Sequence, residues 1–183
     1  MKAQIREAQE ADSTAVRDLM LQAFGSDEGP VIARLVSDLL VDPSAVPRLS
    51  LVATIGQEVV GYVLFTHAEI ASSKRVIEAT LLAPLAVHPA QQSQGIGGRL
   101  ILAGLQSAAG RGAELAFVLG HPGYYPRYGF EPAGILGFEA PYPIADEHAD
   151  AWMVHILKEG VVGSATGTVS CAAALRDPRH WCE

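Results

Sequence analysis

Two hydrophobic rhythms alternate along the chain, and they predict its elements in order. Residues 2–8 alternate loosely between polar and apolar and predict a first strand. Asp12 then stands where a helix N-cap belongs, with Val16, Leu19, Met20, Ala23 and Phe24 following at helical spacing. Ser26-Asp27-Glu28-Gly29-Pro30 interrupts that face, with Pro30 placed to open a second helix. Val31, Ile32, Leu35, Val36, Leu39 and Leu40 form its apolar stripe, and Asp42-Pro43 ends it. Two β-rich runs, 51–55 and 59–65, flank Gly56-Gln57-Glu58 and predict a hairpin. Beyond Ser72-Ser73-Lys74-Arg75, the run 76–87 predicts a long central strand. Residues 96–109 return to helical spacing, with Leu100, Ile101, Leu105 and Ala108 on one face and Gly110 as a stop. A buried strand at 115–119, an aromatic turn at 123–128 and strand-like segments at 134–138 and 152–157 complete the series.

Three consecutive strands exclude a pure βαβ alternation, so the sheet should be mixed. The 183 residues suit one domain with a sizeable core. With 49% hydrophobic and 18% charged residues the composition is globular. The chain has neither repeat nor linker, no run of about 20 apolar residues that would span a membrane, and no signal-peptide core near its start. Cys171 and Cys182 form no disulfide framework and no metal-binding pair. A cytoplasmic protein without a metal is the expectation. The net charge of −7, with Lys and Arg scattered, argues against nucleic acid as a partner and weakly favours a cationic substrate.

The chemistry concentrates where the long strand meets the following helix. Leu85-Ala86-Val87-His88-Pro89 leads into Gln92-Ser93-Gln94-Gly95-Ile96-Gly97-Gly98-Arg99. Glycines let a ligand approach the backbone closely. The unpaired N–H groups and positive dipole end of a helix start suit a phosphate or pyrophosphate. Glycines before a helix also serve tight turns that hold nothing, and the pattern alone leaves both readings open. No Gly-Lys-Ser/Thr follows, which excludes a nucleotide-triphosphate loop. A dinucleotide fold would want its glycine motif after an early strand, and Glu114 at the acidic position does not mend that. Pro84 has no N–H to give to a ladder, so this strand should bulge or stop pairing near it. Backbone freed at 85–87 would suit the two amides of a pantetheine arm, although an ordinary bulge needs no ligand.

The strand 81–87, Gln92-x-x-Gly95-x-Gly97 and the helix resemble the coenzyme-binding motif of the GNAT superfamily of N-acetyltransferases. Tyr125-Pro126-Arg127-Tyr128-Gly129-Phe130 resembles that family's Tyr-x-x-x-Gly-Phe element, and Ala83-Pro84-Leu85-Ala86-Val87 with Val118-Leu119-Gly120-His121-Pro122 resembles its YhbS-like branch. The resemblance implies an α/β (α+β) fold: a single GNAT-like domain over 1–183, with 160–183 as its C-terminal extension. Its central sheet would be mixed, mostly antiparallel, flanked by helices, and splayed between its fourth and fifth strands. It also implies acetyl-CoA as co-substrate. Leu85, Ala86 and Val87 would bond the pantetheine through their backbone, and Gln92, Gln94, Gly95, Ile96, Gly97, Gly98 and Arg99 would surround the pyrophosphate. Tyr125 would protonate the departing thiolate, while Tyr124, Tyr128 and Phe130 read as an aromatic core cluster.

The implied reaction is direct attack of a primary amine, on a small molecule or a protein, on the thioester in a ternary complex. It needs a deprotonated amine, a donor for the oxyanion, for which the Val87 N–H is the candidate, and a proton for the sulfur. The family's usual glutamate position is Leu81 here. His88, His121 and Glu78 are the candidate bases, with His67, Glu69 and a water relay as alternatives. His148, His155 and His180 form no cluster in the sequence. The acceptor pocket should draw on 24–40 and 129–140, where Asp27, Glu28 and Glu131 among apolar residues suit an amine with an apolar body. The tail 160–183 reads as an extra strand, a lid or a dimer contact; a homodimer is implied by family habit alone. Two other readings share the fold: a longer-chain acyl-CoA or acyl-carrier-protein-dependent N-acyltransferase, and a non-catalytic acyl-CoA-binding sensor.

Overall fold

The computed structural model describes residues 2–72 and 74–182; Ser73 of the 72–75 turn and the chain ends Met1 and Glu183 lie outside the described residues. The first strand is β1, Gln4–Glu7, and it leads into helix α1, Ser13–Val41. The two helices expected here are two halves of α1 that meet at Gly25, whose φ of 77° and ψ of −173° no helix contains. That positive φ is open to glycine at no steric cost, so the break falls at Gly25 and not at Pro30. Pro30 instead lies one turn into the second half. Asp12 precedes α1, but its carboxylate does not cap the helix. It accepts the Gln9 N–H at 2.7 Å and both Arg6 guanidinium nitrogens at 2.7 and 2.8 Å, which ties β1 to the helix start.

Next come β2, Leu49–Ile55, β3, Glu58–Ala71, and β4, Val76–Val87, each antiparallel to its neighbour. Helix α2, Ile96–Gly110, crosses back, and β5, Leu115–Leu119, runs parallel to β4. The segment expected as a strand at 134–138 is a short helical turn, Gly134–Leu136, between two-residue strands β6, Glu131–Pro132, and β7, Phe138–Glu139. Gly137 turns the chain with φ of 87°, leaving no room for a continuous extended run. Strand β8, Trp152–Ile156, is antiparallel to β5 along its whole length. The strand order is β1-β2-β3-β4-β5-β8-β6. The tail supplies β9, Gly167–Cys171, which adds to β3 at Ala68–Ile70 and to β7, so the extra-strand reading of the tail is the one observed.

Helix α1 and the tail cover one face of the sheet, packing Leu19, Met20, Leu39 and Trp181 on Tyr62, Ile70, Ile77 and Phe117. Helix α2 covers the other, setting Ile96, Leu100, Ile101 and Leu105 on Phe65, Leu82, Ala116 and Met153. The indole of Trp152 stacks on Phe117 with centroids 5.1 Å apart and takes Trp181 edge-on at 5.7 Å. Trp181 donates its indole N–H to the Leu175 carbonyl, so the end of the chain is pinned by a buried aromatic plug. No helix among the described residues is long and apolar enough to cross a membrane.

The Arg6 guanidinium, by hydrogen bond and by charge, holds the Asp12 carboxyl at about 2. The sign follows from linkage: the pair contributes fully above the ordinary aspartate range near about 4 and loses its contribution as pH falls through about 2. Asp12→Asn should lower stability by about 1–2 kcal/mol at neutral pH. Urea unfolding should show the gap between variant and wild type closing between about pH 4 and 2; a gap that persists at the acid end contradicts the assignment.

Candidate active site

The site is a gap in the sheet. Strands β4 and β5 pair only at Ala79–Leu81 against Leu115–Phe117. Past that point Val118 and Leu119 pair with β8 alone, and β4 pairs with β3 alone. The cause lies in β4 itself. Against β3, Leu82 faces Phe65 and Leu85 faces Val63, so Ala83 and Pro84 together oppose the single residue Leu64. This is the bulge that Pro84 predicts, since proline has no N–H for a ladder. The extra residue also reverses the alternation of side chains. Leu82 faces α2 before the bulge, and Leu85 and Val87 face it after. The His88 N–H donates to the Val60 carbonyl on β3 at 2.8 Å. By alternation the backbone of Ala86 also turns to β3, while that of Leu85 and Val87 turns into the gap. Of the three backbone residues expected to meet a pantetheine, two therefore face the gap and Ala86 does not.

A cleft of about 550 Å³ opens on the α2 side, lined by Leu85, Val87, Gln91, Gln92, Ser93, Gly95, Ile96 and Gly97 and, opposite, by Tyr124, Arg127 and Tyr128. Gly95 stands at the helix N-cap with φ of 78° and ψ of 5°, a left-handed conformation that suits glycine. The first helical hydrogen bond is from Arg99 N–H to Gly95 carbonyl at 3.1 Å, so the amides of Ile96, Gly97 and Gly98 have no helical acceptor. A Cβ on Gly97 would run into the Tyr124 hydroxyl, and one on Gly98 into the Tyr128 ring. The Gln92 side chain donates to the Val87 carbonyl at 3.1 Å and thereby fixes the turn, and the Gln94 side chain turns back to the Ala90 carbonyl. Arg99, Gln94 and Gly98 are not part of the lining, whereas Arg127, which the sequence reading passed over, is exposed within it.

On the α1 side a second cleft, of about 520 Å³, reaches the same gap. Its floor is Leu82 to Leu85 with Val118 and Leu119; one wall is Phe24, Asp27, Glu28, Val31, Ile32 and Leu35 of α1, and the other is Leu175, Arg179, His180 and Cys182 of the tail. Leu85 lines both clefts. Two neighbours in sequence line one cleft each, Tyr124 on the α2 side and Tyr125 on the α1 side, with ring centroids 5.2 Å apart and edge to face. Of the cluster read as aromatic core, only Phe130 is buried there; Tyr124 and Tyr128 are half-buried and line the cleft. Burial first, and Tyr124 second, push the Tyr125 phenol well above the ordinary tyrosine range, and burial also raises Tyr124, to about 12. Tyr125 thus carries its proton throughout the neutral range.

The candidate bases fall elsewhere. His88 accepts the Ala90 N–H on Nδ1 at 3.2 Å, and His121 accepts the Gly123 N–H on Nδ1 at 3.0 Å. Each ring braces its own loop two residues on, and neither lines a cleft. Glu78 lies down β4, paired with Glu69 where β4 and β5 are still joined, and lines a separate cavity of about 300 Å³ with Arg48 and Arg111. His67 stands between Glu69 and Glu78 on that same stretch, at 3.4 and 3.8 Å. His155 has Nδ1 on the Tyr128 carbonyl at 3.1 Å. Glu114, which stands at the acidic position a dinucleotide fold would use, bridges Arg75 and Lys158 at 2.6 and 3.2 Å. Glu131 and the rest of 129–140 are absent from the lining of the α1-side cleft; the tail takes that place. Among the described residues no three His, Cys, Asp or Glu side chains gather into a metal site.

An open sheet whose parallel β4 and β5 part beside a glycine turn is the architecture of a CoA-dependent acyltransferase fold. Residues 4–133 match the family model described as an acetyltransferase (GNAT) domain, and the chain belongs to that family. It is 43% identical over 163 residues to the uncharacterized N-acetyltransferase YjhQ of Escherichia coli (strain K12), covering 88% of each chain. It is 31% identical over 159 residues to the uncharacterized N-acetyltransferase YhbS of the same strain, covering 86% of this chain and 89% of that one. The crystal structure of Escherichia coli YhbS in complex with CoA superimposes with a TM-score of 0.85 at 29% identity, over 97% of this chain and 93% of that one. A Brucella melitensis GNAT family acetyltransferase in complex with acetyl-CoA gives 0.72 at 28% identity, over 94% and 97%.

The raised Tyr125 phenol has a spectroscopic consequence. Phenolate absorbance of wild type and Tyr125→Phe should superimpose up to about pH 10, because the Tyr125 proton is still held there. A deficit in the variant below that pH would show that Tyr125 ionises as an ordinary phenol.

Proposed function

We propose that this chain transfers an acetyl group from acetyl-CoA to a primary amine by direct attack in a ternary complex. The observation that carries the reading is the meeting of two clefts at one gap in the sheet, at Leu85 with Tyr124 and Tyr125 beside it. The family and the relatives that bind CoA or acetyl-CoA support the choice of coenzyme.

In this reading the pyrophosphate sits on the free amides of Ile96 and Gly97 beside Gly95, where the helix dipole favours an anion. Arg127 adds positive charge from the opposite wall. The pantetheine runs along β4 as an extra strand, bonded to the inward backbone of Leu85 and Val87. The thioester then reaches the gap, where the Val87 N–H is the donor for the oxyanion. Tyr125 donates its hydrogen to the sulfur. With its pKa raised it is a reluctant acid, so it acts by hydrogen bonding as the C–S bond breaks and yields the proton only to a fully formed thiolate. Leu82, Val118 and Leu119 keep the gap dry, which strengthens these dipoles. The acceptor enters from the α1 side, where Asp27 and Glu28 attract an ammonium and the apolar walls suit an apolar body. Residues 1–183 are taken as one N-acyltransferase domain with 160–183 as its extension. The pairing of β9 with β3 and the burial of Trp181 against Trp152 support that extent. A cytoplasmic setting belongs to the same proposal, supported by two free cysteines.

Calorimetric titration with acetyl-CoA tests the coenzyme half. The wild type should bind in the micromolar range, and Gly97→Glu should abolish binding by bulk and charge. Because that substitution also presses on Tyr124, Arg127→Glu at the exposed wall serves as a second variant and should weaken binding roughly 10-fold or more. A folded wild type that does not bind at millimolar acetyl-CoA overturns the proposal. For the chemical half, Tyr125→Phe should lower kcat roughly 10²-fold with acetyl-CoA affinity unchanged, read as thiol release across an amine panel.

A further inference from the structure

We infer that His180, carried in by the C-terminal tail, is the general base that takes the proton from the acceptor amine. The inference rests on the acetyl-transfer reading above and supplies what that reading lacks. Of the six histidines in the chain, His180 alone lines the cleft that also holds Tyr125, Pro84 and Leu85. His88 and His121 are committed at Nδ1 to their own loops, and His155 to the Tyr128 carbonyl. His67 lies between two carboxylates beyond the gap, and the half-buried His148 sits beside Glu147 outside both clefts. Among the described residues neither ring nitrogen of His180 has a hydrogen-bond partner, while the backbone N–H donates to the Asp177 carbonyl at 3.0 Å and holds the residue in place. The turn that presents it, Pro178–Trp181, is anchored by the buried Trp181. The position is therefore fixed while the imidazole is uncommitted.

A base must also lose the proton it gains. His180 lines a second depression as well, an outer groove of about 440 Å³ formed by Pro30, Val31, Arg34, Leu35, Asp38, Ala174, Asp177 and Arg179. His180 thus borders both the cleft that reaches the gap and the outer groove. The charged and titratable groups around it are Asp27, Glu28, Arg34 and Asp38 of α1, Asp177, Arg179 and Cys182 of the tail, and Tyr125 across the cleft. Arg179 is neutralised by Asp177 at 2.6 Å.

The step balances as follows. The ammonium nitrogen loses one proton to the imidazole and attacks the carbonyl carbon; the C–N bond forms. As the C–S bond breaks, Tyr125 gives its proton to the sulfur and takes in exchange the second proton of the nitrogen. One net proton leaves per turnover, from the imidazolium to solvent through the outer groove. Imidazole is the side chain most often used to take and return a proton at neutral pH, which is what this task requires.

The test uses the full-length protein, acetyl-CoA and 2-phenylethylamine, a primary amine with an apolar body. His180→Gln should lower kcat roughly 10²-fold while acetyl-CoA affinity, by calorimetry, stays within about twofold. The acidic limb of the wild-type kcat/KM profile, of unit slope, should vanish in the variant, and added imidazole should partly restore His180→Ala. A readout independent of turnover comes from the dead-end complex. The imidazole resonance that is missing in His180→Gln should shift when the amine is titrated into the CoA-bound wild type, and the other five should not. An unmoved resonance, or a variant with wild-type kcat and an intact acidic limb, overturns the assignment. Failure of the wild type to bind acetyl-CoA would instead strike the coenzyme reading, which the calorimetry registers separately.

Discussion

The structure turns on one missing hydrogen bond donor. At Pro84 a central strand loses the N–H that a ladder would use, and the chain answers by placing two residues, Ala83 and Pro84, opposite one. Everything distinctive about the site follows from that local event. Pairing between β4 and β5 ends at Leu81 and Phe117. The side chains of β4 change face, so Leu85 and Val87 come to lie beside the start of α2. Their backbone, which a neighbouring strand would otherwise occupy, opens onto a cleft with the glycine turn at its end. An unpaired strand edge inside a protein is costly unless something bonds it. A ligand with amides at strand spacing is the complementary solution.

The two faces of the gap are charged in opposite senses, and this gives the site a direction. On the α2 side stand the free helix amides and Arg127; on the α1 side stand Asp27 and Glu28. In the proposed reaction an anionic coenzyme and a cationic amine would each be drawn to a different mouth. Tyr124 and Tyr125 divide in the same way, one ring closing each mouth. The kink at Gly25 belongs to this arrangement, because it turns the second half of α1 so that Asp27 and Glu28 face the cleft.

What the sequence revealed, and what it withheld, divides by range. The β4 strand, the glycine turn and α2 were legible because each is written in consecutive residues: an apolar run, a proline within it, and glycines ahead of a helical stripe. The bulge was legible for the same reason. The segment 134–138 was not, since two apolar residues between glycines fit a turn as well as a strand. The roles of Tyr124, Arg127 and Tyr128 were hidden in a different way. Aromatic residues at that spacing suit a core, and only the approach of α2, where Gly97 and Gly98 leave room for two rings, sets them at a cleft. His88 and His121 sit at strand ends in the sequence and so look catalytic. Their Nδ1 atoms show why histidine is there: it accepts a backbone amide two residues on and shapes the loop.

The tail is the least legible part, and it supplies one wall of the α1-side cleft. Its composition of Gly, Ala, Ser and Thr carries no stripe, and its destination depends on contacts distant in sequence. The Ala173 and Ala174 amides donate to Ser44 and Asp42 at 2.7 and 2.9 Å, fastening it across the end of α1. Trp181 then fills the space beside Trp152, itself stacked on Phe117 in β5. The aromatic column therefore runs from the strand that forms one lip of the gap to the turn that lines the α1-side cleft. The wall of the α1-side cleft is thus packed, through Trp181 and Trp152, onto the strand that forms one side of the gap.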